Sequence, residues 1–211
     1  MSYIIVDVEA DGPIPSDHSM VCFGAVLLDD ALDKTFYGRT RPISDRFVPE
    51  ALAVSGFSRE EHLGFPDPRE TLEYFLAWIE THAQGHAVFV SDNVAFDWQF
   101  INFYFHHFLG KNPFGFSGRR IGDLYAGLMK DASKATQWKK YRKTRHTHHP
   151  VDDARGNAEA LLKFRELGLK DLTGRVNRLA VLETLQLSSR RGVSVLRVVL
   201  SSPAPGNSPG T

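Results

Sequence analysis

Two acidic residues near the start of the chain, Asp7 and Glu9, have a spacing that could hold a metal ion. They end the apolar run YIIVDVEA, residues 3–10, which predicts a buried strand. Because side chains alternate along a strand, both carboxylates point to the same side of the sheet. Carboxylates buried together repel unless a proton or a cation lies between them, and oxygen-only ligands favour Mg²⁺ or Mn²⁺ over zinc. The alternative is a strand end at which both side chains reach solvent.

Two further carboxylates and a histidine lie where helices are predicted to begin. Asp97 follows Asn93 by four residues, in the first turn of a helix that comes directly after a strand. It should therefore lie at the carboxyl edge of the sheet, where α/β sites usually form. Asp153 opens another helix five residues after His148, whose imidazole has a suitable pKa for removing a proton from water. The simpler alternatives are a partner of the helix dipole for Asp97 and a solvated loop residue for His148.

Taken together, these residues resemble the three motifs of the DEDDh group of DnaQ-like 3′-5′ exonucleases. The first motif, D-x-E on the first strand, is matched by residues 7–9 (DVE). The second is an Asn followed three and four residues later by an aromatic residue and an Asp, and it is matched by Asn93, Phe96 and Asp97. The third, H-x-A-x-x-D-A, is matched by residues 148–154 (HHPVDDA). Three motifs in this order would rarely occur by chance.

The third motif contains neighbouring candidates of the same type. Pro150 stands where the family usually has a small residue, and the spacing is intact. Asp152 precedes Asp153, and His149 follows His148. The register and the Ala that follows favour Asp153 and His148 over their neighbours.

The resemblance covers residues 1–168 and implies an α/β fold of the ribonuclease-H-like type, with a mixed central sheet flanked by helices. The motifs look most like those of the small bacterial or phage 3′-5′ exoribonuclease domains. The implied activity is hydrolysis of single-stranded nucleic acid from the 3′ end to nucleoside 5′-monophosphates. Contacts to a 2′-OH leave no local motif, so the exoribonuclease is an expectation and DNA remains open.

The same resemblance implies the cofactor and the role of each site residue. Two Mg²⁺ ions, for which Mn²⁺ substitutes, would be bridged by Asp7, with Glu9, Asp97 and Asp153 completing the ligand set. His148 would be the general base. Two cations about 3.5–4 Å apart can lower the pKa of an attacking water and stabilise the departing 3′ oxygen.

Two other functions compete with this interpretation. The first is a nucleic-acid-binding module on the same fold without catalysis, which would have no need of the carboxylates or the base. The second is a metal-dependent phosphohydrolase, which would release inorganic phosphate from a mononucleotide.

A basic segment precedes the third motif and could guide the 3′ end of a strand. Cations follow a nucleic-acid backbone and aromatic rings stack on bases, and this segment interleaves both types around Trp138 and Tyr141. The alternative is a solvated charged loop. The predicted substrate-binding residues are Asn93, Lys139, Lys140, Arg142 and Lys143.

Charge is distributed unevenly along a chain whose formal net charge is zero. Residues 1–100 contain 17 Asp and Glu against 6 Lys and Arg, and residues 101–211 contain 8 against 19. The split is typical of an acidic site beside a basic surface, and a polyanion held near metal ions is a candidate partner. Two unrelated solvated faces would give the same counts.

The elements that must position these residues alternate between strand and helix, which predicts an α/β fold. The predicted strands are residues 3–10, 20–30, 33–41 and 86–92, with a further short strand around Ile121. The predicted helices are residues 70–83, 94–109 with Asn93 as N-cap, a segment running from Leu124 towards Met129, and 153–167.

Length and composition set the remaining expectations. The 211 residues are 42% hydrophobic, which is enough for a substantial core and excludes a wholly disordered chain. No apolar run approaches the ~20 residues of a membrane span, so we expect a soluble, cytoplasmic protein without a membrane partner. Cys22 should be a buried thiol. Residues 169–200 should form a helical extension, residues 201–211 a disordered tail, and related exonucleases suggest a homodimer.

Overall fold

The computed structural model describes residues 1–170. The predictions for the C-terminal extension and the tail concern residues that lie almost wholly outside this range. The domain boundary at residue 168 stays a prediction. Within residues 1–170, no helix combines the length and the apolar character that a membrane crossing would need.

A mixed sheet forms the centre of the described part of the chain. Its strands are β1 (Ser2–Ala10), β2 (Met20–Leu27), β3 (Thr35–Arg39), β4 (Ala87–Ser91) and β5 (Gly118–Arg120), in the order β3-β2-β1-β4-β5. The β1–β2 and β2–β3 pairs are antiparallel, and the β1–β4 and β4–β5 pairs are parallel. This architecture confirms the predicted fold class and places the strand of Asp7 and Glu9 in the middle of the sheet.

Helices cover both faces of this sheet. They are α1 (Pro49–Val54), α2 (Arg59–Leu63), α3 (Pro68–His82), α4 (Val94–Tyr104), α5 (Ile121–Met129) and α6 (Pro150–Glu166). A π-helical turn, Phe105–Leu109, continues α4, and two short 3₁₀ turns, Ala132–Lys134 and Gln137–Tyr141, lie in the basic segment.

The core has two parts because alternate residues of β1 face opposite sides. Ile4 and Val6 pack in the part that contains Phe75 of α3 and Phe100 of α4. Ile5 packs in the other part, among residues of α5 and α6. Asp7 and Glu9 continue the side of Ile5 at alternating positions, so they lie on the face that α6 covers.

The predicted elements are confirmed with two corrections. The strand expected around Ile121 ends at Arg120, and Ile121 is the first residue of α5, because Ile121 and Tyr125 are buried at helical spacing. Asn93 occupies the N-cap position of α4, but its side chain makes no capping hydrogen bond and is exposed. Cys22 is buried, as predicted.

Candidate active site

Three of the predicted site carboxylates form one cluster. One carboxylate oxygen each from Asp7, Glu9 and Asp153 lies within 4.8 Å of the others. Asp7 and Glu9 come from the last part of β1, whereas Asp153 comes from the first turn of α6. Asp153 is 0% exposed, and the Glu9 side chain is 12% exposed. The cluster is therefore largely removed from water.

A glycine in β2 lets α6 approach the sheet closely enough to bring Asp153 to this cluster. Gly24 pairs with Asp7 across the β1–β2 ladder, so the two residues share a face of the sheet. A Cβ atom on Gly24 would lie 2.3 Å from the carbonyl carbon of Pro150 and 2.3 Å from the nitrogen of Val151. The first turn of α6 thus rests directly on the β2 backbone, beside Asp7.

Asp97 lies in the first turn of α4, and its side chain contacts the backbone of β1. The β1–β4 ladder extends to the pair Ile5–Val90, and the Val8 amide farther along β1 donates to Asp97 Oδ1 at 3.1 Å. The Asp97 residue is 3% exposed. A negative charge on Asp97 raises the pKa of Asp7, as expected for a neighbouring carboxylate.

Burial and the charges of nearby carboxylates raise the pKa of three carboxyl groups, Asp7, Glu9 and Asp97. Burial, followed by the charges of Asp97, Glu9 and Asp153, raises the pKa of Asp7 well above its usual range. Burial and Asp153 raise the pKa of Glu9 to about 7, and burial is the main cause that raises the pKa of Asp97 to about 8. Such groups are stabilised by a cation among them. An all-oxygen cluster suits a hard divalent ion such as Mg²⁺ or Mn²⁺.

His148 lies at the edge of the cluster. Its Nδ1 is 3.5 Å from Glu9 Oε1, its side chain is 51% exposed, and its backbone amide donates to Asp153 Oδ2 at 2.9 Å. The residue has a left-handed backbone with φ 62°, a conformation that non-glycine residues rarely adopt. The hydrogen bond to Asp153 ties this unusual backbone to the first turn of α6.

The structure separates His148 and Asp153 from their neighbours of the same type. His149 stacks on Tyr37 of β3 at a centroid distance of 5.1 Å, and its Nδ1 lies 3.8 Å from Asp152. Both His149 and Asp152 have side chains about half exposed, at 49% and 47%. The geometry therefore agrees with the motif register in bringing Asp153 and His148 to the cluster.

His146 is a neighbour of the cluster that the sequence analysis missed. Its Nδ1 lies 2.8 Å from Asp153 Oδ1, and its ring lies 4.4 Å from that of His148. The available signal was a second histidine, His146, two residues before His148 of the third motif. It was hidden among the basic residues of the same segment.

Lys139, Arg142 and Lys143 of the predicted substrate-binding residues border one cavity, and Lys140 does not. Lys139 and the exposed Lys143 border a cavity of about 420 Å³ beside the cluster, and Lys139 is ion-paired with Asp92 at 2.9 Å. The Lys140 Nζ lies 5.1 Å from the ring centroid of Tyr141. The full lining of the cavity is Asp92, Lys139, Arg142, Lys143, Thr144, Arg145 and His146.

Two residues of the basic segment are turned into the protein. Trp138 is 0% exposed, so the expectation that its ring offers a stacking face for a base is wrong. It packs in the part of the core beneath α6. Arg142 Nη2 lies 2.8 Å from Asp153 Oδ1, and the Arg142 side chain is 11% exposed.

The raised carboxyl pKa values predict how stability depends on pH without metal. A carboxyl group whose pKa is higher in the folded than in the unfolded state costs stability as it ionises. In EDTA we therefore expect the melting temperature to fall from about pH 6.5 to 8, as Glu9 and Asp97 lose protons, and to level off above that; the slope per group is at most about 1.4 kcal/mol per pH unit. The window starts at about pH 6.5 because burial lowers the pKa of His62 from its usual value to about 4. Between these two pKa values, a rise in pH stabilises the fold through His62 and so opposes the effect of the carboxyl groups.

Thermal melts of the wild type and of Asp97→Asn in EDTA test this expectation. The variant keeps the shape of the side chain without its charge, so its melting temperature should depend less steeply on pH. A wild-type melting temperature that rises over the same range would contradict it.

The chain is similar to known nucleases in sequence and in fold. No family model matches the chain. The chain is 37% identical over 176 residues to the 3′-5′ DNA exonuclease Cap18 of Escherichia coli, covering 80% of this chain and 94% of that protein.

Solved structures share the fold at lower identity. The nuclease domain of 3′hExo, a DEDDh family member bound to rAMP, superposes with a TM-score of 0.64 at 20% identity, covering 79% of this chain and 92% of that one. Exonuclease I of E. coli in complex with a dA16 oligonucleotide has a TM-score of 0.55 at 16% identity, covering 78% of this chain and 40% of that one.

Proposed function

The chain belongs to the DEDDh family of 3′-5′ exonucleases, and on that basis we propose that it removes nucleoside 5′-monophosphates from the 3′ end of single-stranded nucleic acid in a two-metal reaction. The observation that carries this proposal is the buried cluster of Asp7, Glu9 and Asp153 with Asp97 beside it. A protein that only binds nucleic acid has no use for a cluster that costs this much electrostatic free energy.

The carboxylates fit divalent metal ions, which DEDDh exonucleases use. Asp7, Glu9, Asp97 and Asp153 would hold two Mg²⁺ ions, with Mn²⁺ as a substitute. When bound, such ions activate water and stabilise charge on the phosphate and on the departing 3′ oxygen. The four carboxylates supply the negative charge and fix the place at which the scissile phosphate is held.

His148 is the proposed general base. Half of its side chain is exposed at the edge of the cluster, so it can contact a water molecule and a strand at the same time. It would accept the proton of the attacking water at Nε2 while Nδ1 faces Glu9, whose negative charge stabilises the imidazolium. The new bond from the water oxygen to phosphorus replaces the bond from phosphorus to the 3′ oxygen of the preceding nucleotide. That 3′ oxygen takes up a proton from solvent, and the last nucleotide leaves as a 5′-monophosphate.

We propose DNA as a substrate of this site. The support is the 37% identical relative, which is named a DNA exonuclease, and Exonuclease I, whose structure contains a dA16 oligonucleotide. The expectation of an exoribonuclease stays a prediction. Both polymers therefore belong in the same assay.

The assay is incubation of the purified protein with 5′-labelled single-stranded DNA and RNA of one sequence, in Mg²⁺, Mn²⁺ or EDTA. We expect a metal-dependent ladder that shortens from the 3′ end with DNA, and its loss in Asp7→Ala and His148→Ala. Asp152→Ala and His149→Ala are matched controls one residue from the site, and they should cleave like the wild type.

The competing functions give different results in this assay. Binding of oligonucleotide without cleavage under every metal condition would favour a non-catalytic module. Inorganic phosphate released from a mononucleotide, with no shortening of the oligonucleotide, would favour a phosphohydrolase. A ladder with RNA alone would restore the exoribonuclease and overturn DNA as a substrate.

The basic cavity should bind the phosphates of the strand. Replacing Lys139 and Lys143 with Ala removes two cations from its lining, so KM should rise several-fold and the slope of log affinity against log salt should flatten by about 1.4 for two lost phosphate contacts on a single strand. The kcat value should stay within about twofold, because neither side chain enters the carboxylate cluster. Steady-state kinetics at several salt concentrations measure both.

The control for this prediction is Lys163→Ala. Lys163 lies on α6 in an exposed ion pair with Glu166, away from the cavity lining. It should leave KM and the salt dependence unaltered. If the double variant behaves like this control, the cavity does not bind substrate.

A further inference from the structure

Arg142 differs from the exposed cations of the basic segment because its charge is committed to a site carboxylate. Its Nη2 lies 2.8 Å from Asp153 Oδ1, and the two side chains are 11% and 1% exposed. Lys143 and Arg145 in the same segment are exposed. A guanidinium held this way contributes little to binding a passing phosphate, although it also borders the basic cavity.

The chain provides a specific place for this guanidinium on α6. Gly156 follows Asp153 by three residues and lies on the same face of the helix. A Cβ atom on Gly156 would lie 2.6 Å from Arg142 Nε and 3.0 Å from Nη2. A side chain at position 156 would therefore push the guanidinium away from Asp153.

Glu159, about one turn farther along the same face of α6, holds the backbone next to Arg142. Glu159 Oε2 accepts hydrogen bonds from the amides of Lys143 at 2.6 Å and Thr144 at 2.8 Å, and Oε1 accepts from Thr144 Oγ1 at 2.9 Å. Asp153, Gly156 and Glu159 thus form one stripe of α6 that docks residues 142–144. The position of Arg142 is fixed from both its backbone and its side chain.

This arrangement fixes Arg142 at an energetic cost. Arg142 Nε is buried and has no hydrogen-bond partner among the described residues. A buried donor without an acceptor destabilises the folded state. The guanidinium is therefore placed for what Nη2 does at Asp153 rather than for the stability of its own surroundings.

The two oxygens of Asp153 are used unequally. Oδ1 accepts from Arg142 Nη2 and from the amide of Thr147 at 3.2 Å, and it also lies 2.8 Å from His146 Nδ1. Oδ2 accepts from the amide of His148. Because a carboxylate oxygen offers about two lone pairs, Oδ1 is fully used and Oδ2 keeps one available.

We propose that Arg142 is a positioning residue that occupies Oδ1 of Asp153, so that Oδ2 is the oxygen left for a metal ion shared with Asp7 and Glu9. The inference rests on the proposed function in taking Asp153 as a metal ligand. It assigns to Arg142 a role different from that of Lys139 and Lys143, which border the same cavity. Arg142 would act on the metal through Asp153, and the lysines on the strand.

The test measures Mn²⁺ binding by calorimetry, without nucleic acid, in the wild type and in Arg142→Met. Groups that orient a metal ligand typically change affinity or activity by about 10- to 100-fold when removed, so Mn²⁺ should bind at least about 10-fold more weakly. In steady-state assays kcat should fall by a similar factor, with KM for the oligonucleotide within about twofold. The control is Arg165→Met. Arg165 lies on α6, with its Nη1 3.6 Å from Asp30, and this variant should bind Mn²⁺ like the wild type.

Two further variants keep the test informative if Arg142→Met does not fold. Arg142→Lys keeps the buried charge on a shorter side chain without the planar fork, and it should also weaken Mn²⁺ binding. Gly156→Ala leaves every charged group in place and should weaken Mn²⁺ binding by displacing the guanidinium. Circular dichroism in EDTA identifies which variants fold.

Unaltered Mn²⁺ affinity in folded Arg142→Met and Arg142→Lys would overturn the inference, and a raised KM with unaltered kcat would instead place Arg142 among the substrate-binding cations. The proposed function can fail without overturning the positioning role of Arg142. A wild type that cleaves no nucleic acid but binds Mn²⁺ in a way that depends on Arg142 would retain the positioning role without the nuclease.

Discussion

Asp7→Asn should abolish nuclease activity and, in EDTA, make the folded protein more resistant to heat. Asp7 is the carboxylate whose pKa burial and three neighbouring acids raise. Replacing it with a neutral side chain of the same shape removes the repulsion and one of the proposed metal ligands together. Several kcal/mol of transition-state stabilisation depend on the metal, so activity should fall by about 10³-fold or more.

Thermal melts with and without Mn²⁺ measure the second half of this expectation. In the wild type, Mn²⁺ at about 100 times its dissociation constant should stabilise the fold by about 2.7 kcal/mol, which corresponds to roughly 5–10 °C for a domain of this size. Asp7→Asn should lose most of this shift while starting from a higher melting temperature in EDTA.

The matched control is Asp152→Asn, which makes the same chemical change at an exposed carboxylate beside Asp153. It should retain both the activity and the Mn²⁺-dependent shift. A lower melting temperature for Asp7→Asn than for the wild type in EDTA would show that Asp7 stabilises the metal-free fold and would contradict the electrostatic account.

Gly24→Ala should reduce stability and activity more than a methyl group added at any other described glycine around the site. The new Cβ would lie 2.3 Å from backbone atoms of Pro150 and Val151, which cannot rotate away as a side chain could. Overpacking usually costs about 1–3 kcal/mol and more where the backbone must move. Because the first turn of α6 carries Asp153, we expect activity to be lost even where the variant remains folded.

Gly127→Ala is the control for that substitution, and it should stabilise the folded state rather than destabilise it. Gly127 lies in α5, and no atom lies within 4 Å of a Cβ built there. Replacing an unhindered helical glycine with alanine stabilises by about 1 kcal/mol. Denaturant melts and nuclease assays of the two variants make the comparison. Wild-type stability and activity in Gly24→Ala would show that α6 does not depend on this contact.

The sequence was sufficient for features that are periodic or local. Alternation along β1 predicted that Asp7 and Glu9 share a face, and helical spacing predicted the helices that carry Asp97 and Asp153. The order and spacing of the motifs led to the family, which the 37% identical relative shows. These inferences need only the residues within one element, which is why they could be made before any fold was known.

Other features could not be predicted because they depend on which distant segments meet. The close contact between Gly24 and Pro150 leaves no pattern in either segment. The direction of Arg142 depends on the space over Gly156 in a helix that begins eight residues later. A basic residue in a basic segment looks like a surface cation until that helix is in place.

The site also takes its members from widely separated parts of the chain. Val8 on β1 gives its amide to Asp97 on α4, and Asp153 arrives only with α6, near the end of the described residues. During synthesis, a chain that has emerged as far as α5 therefore lacks Asp153 and both histidines beside it. Such a chain has no complete carboxylate cluster, so we expect it to leave nucleic acid uncut until α6 has been added.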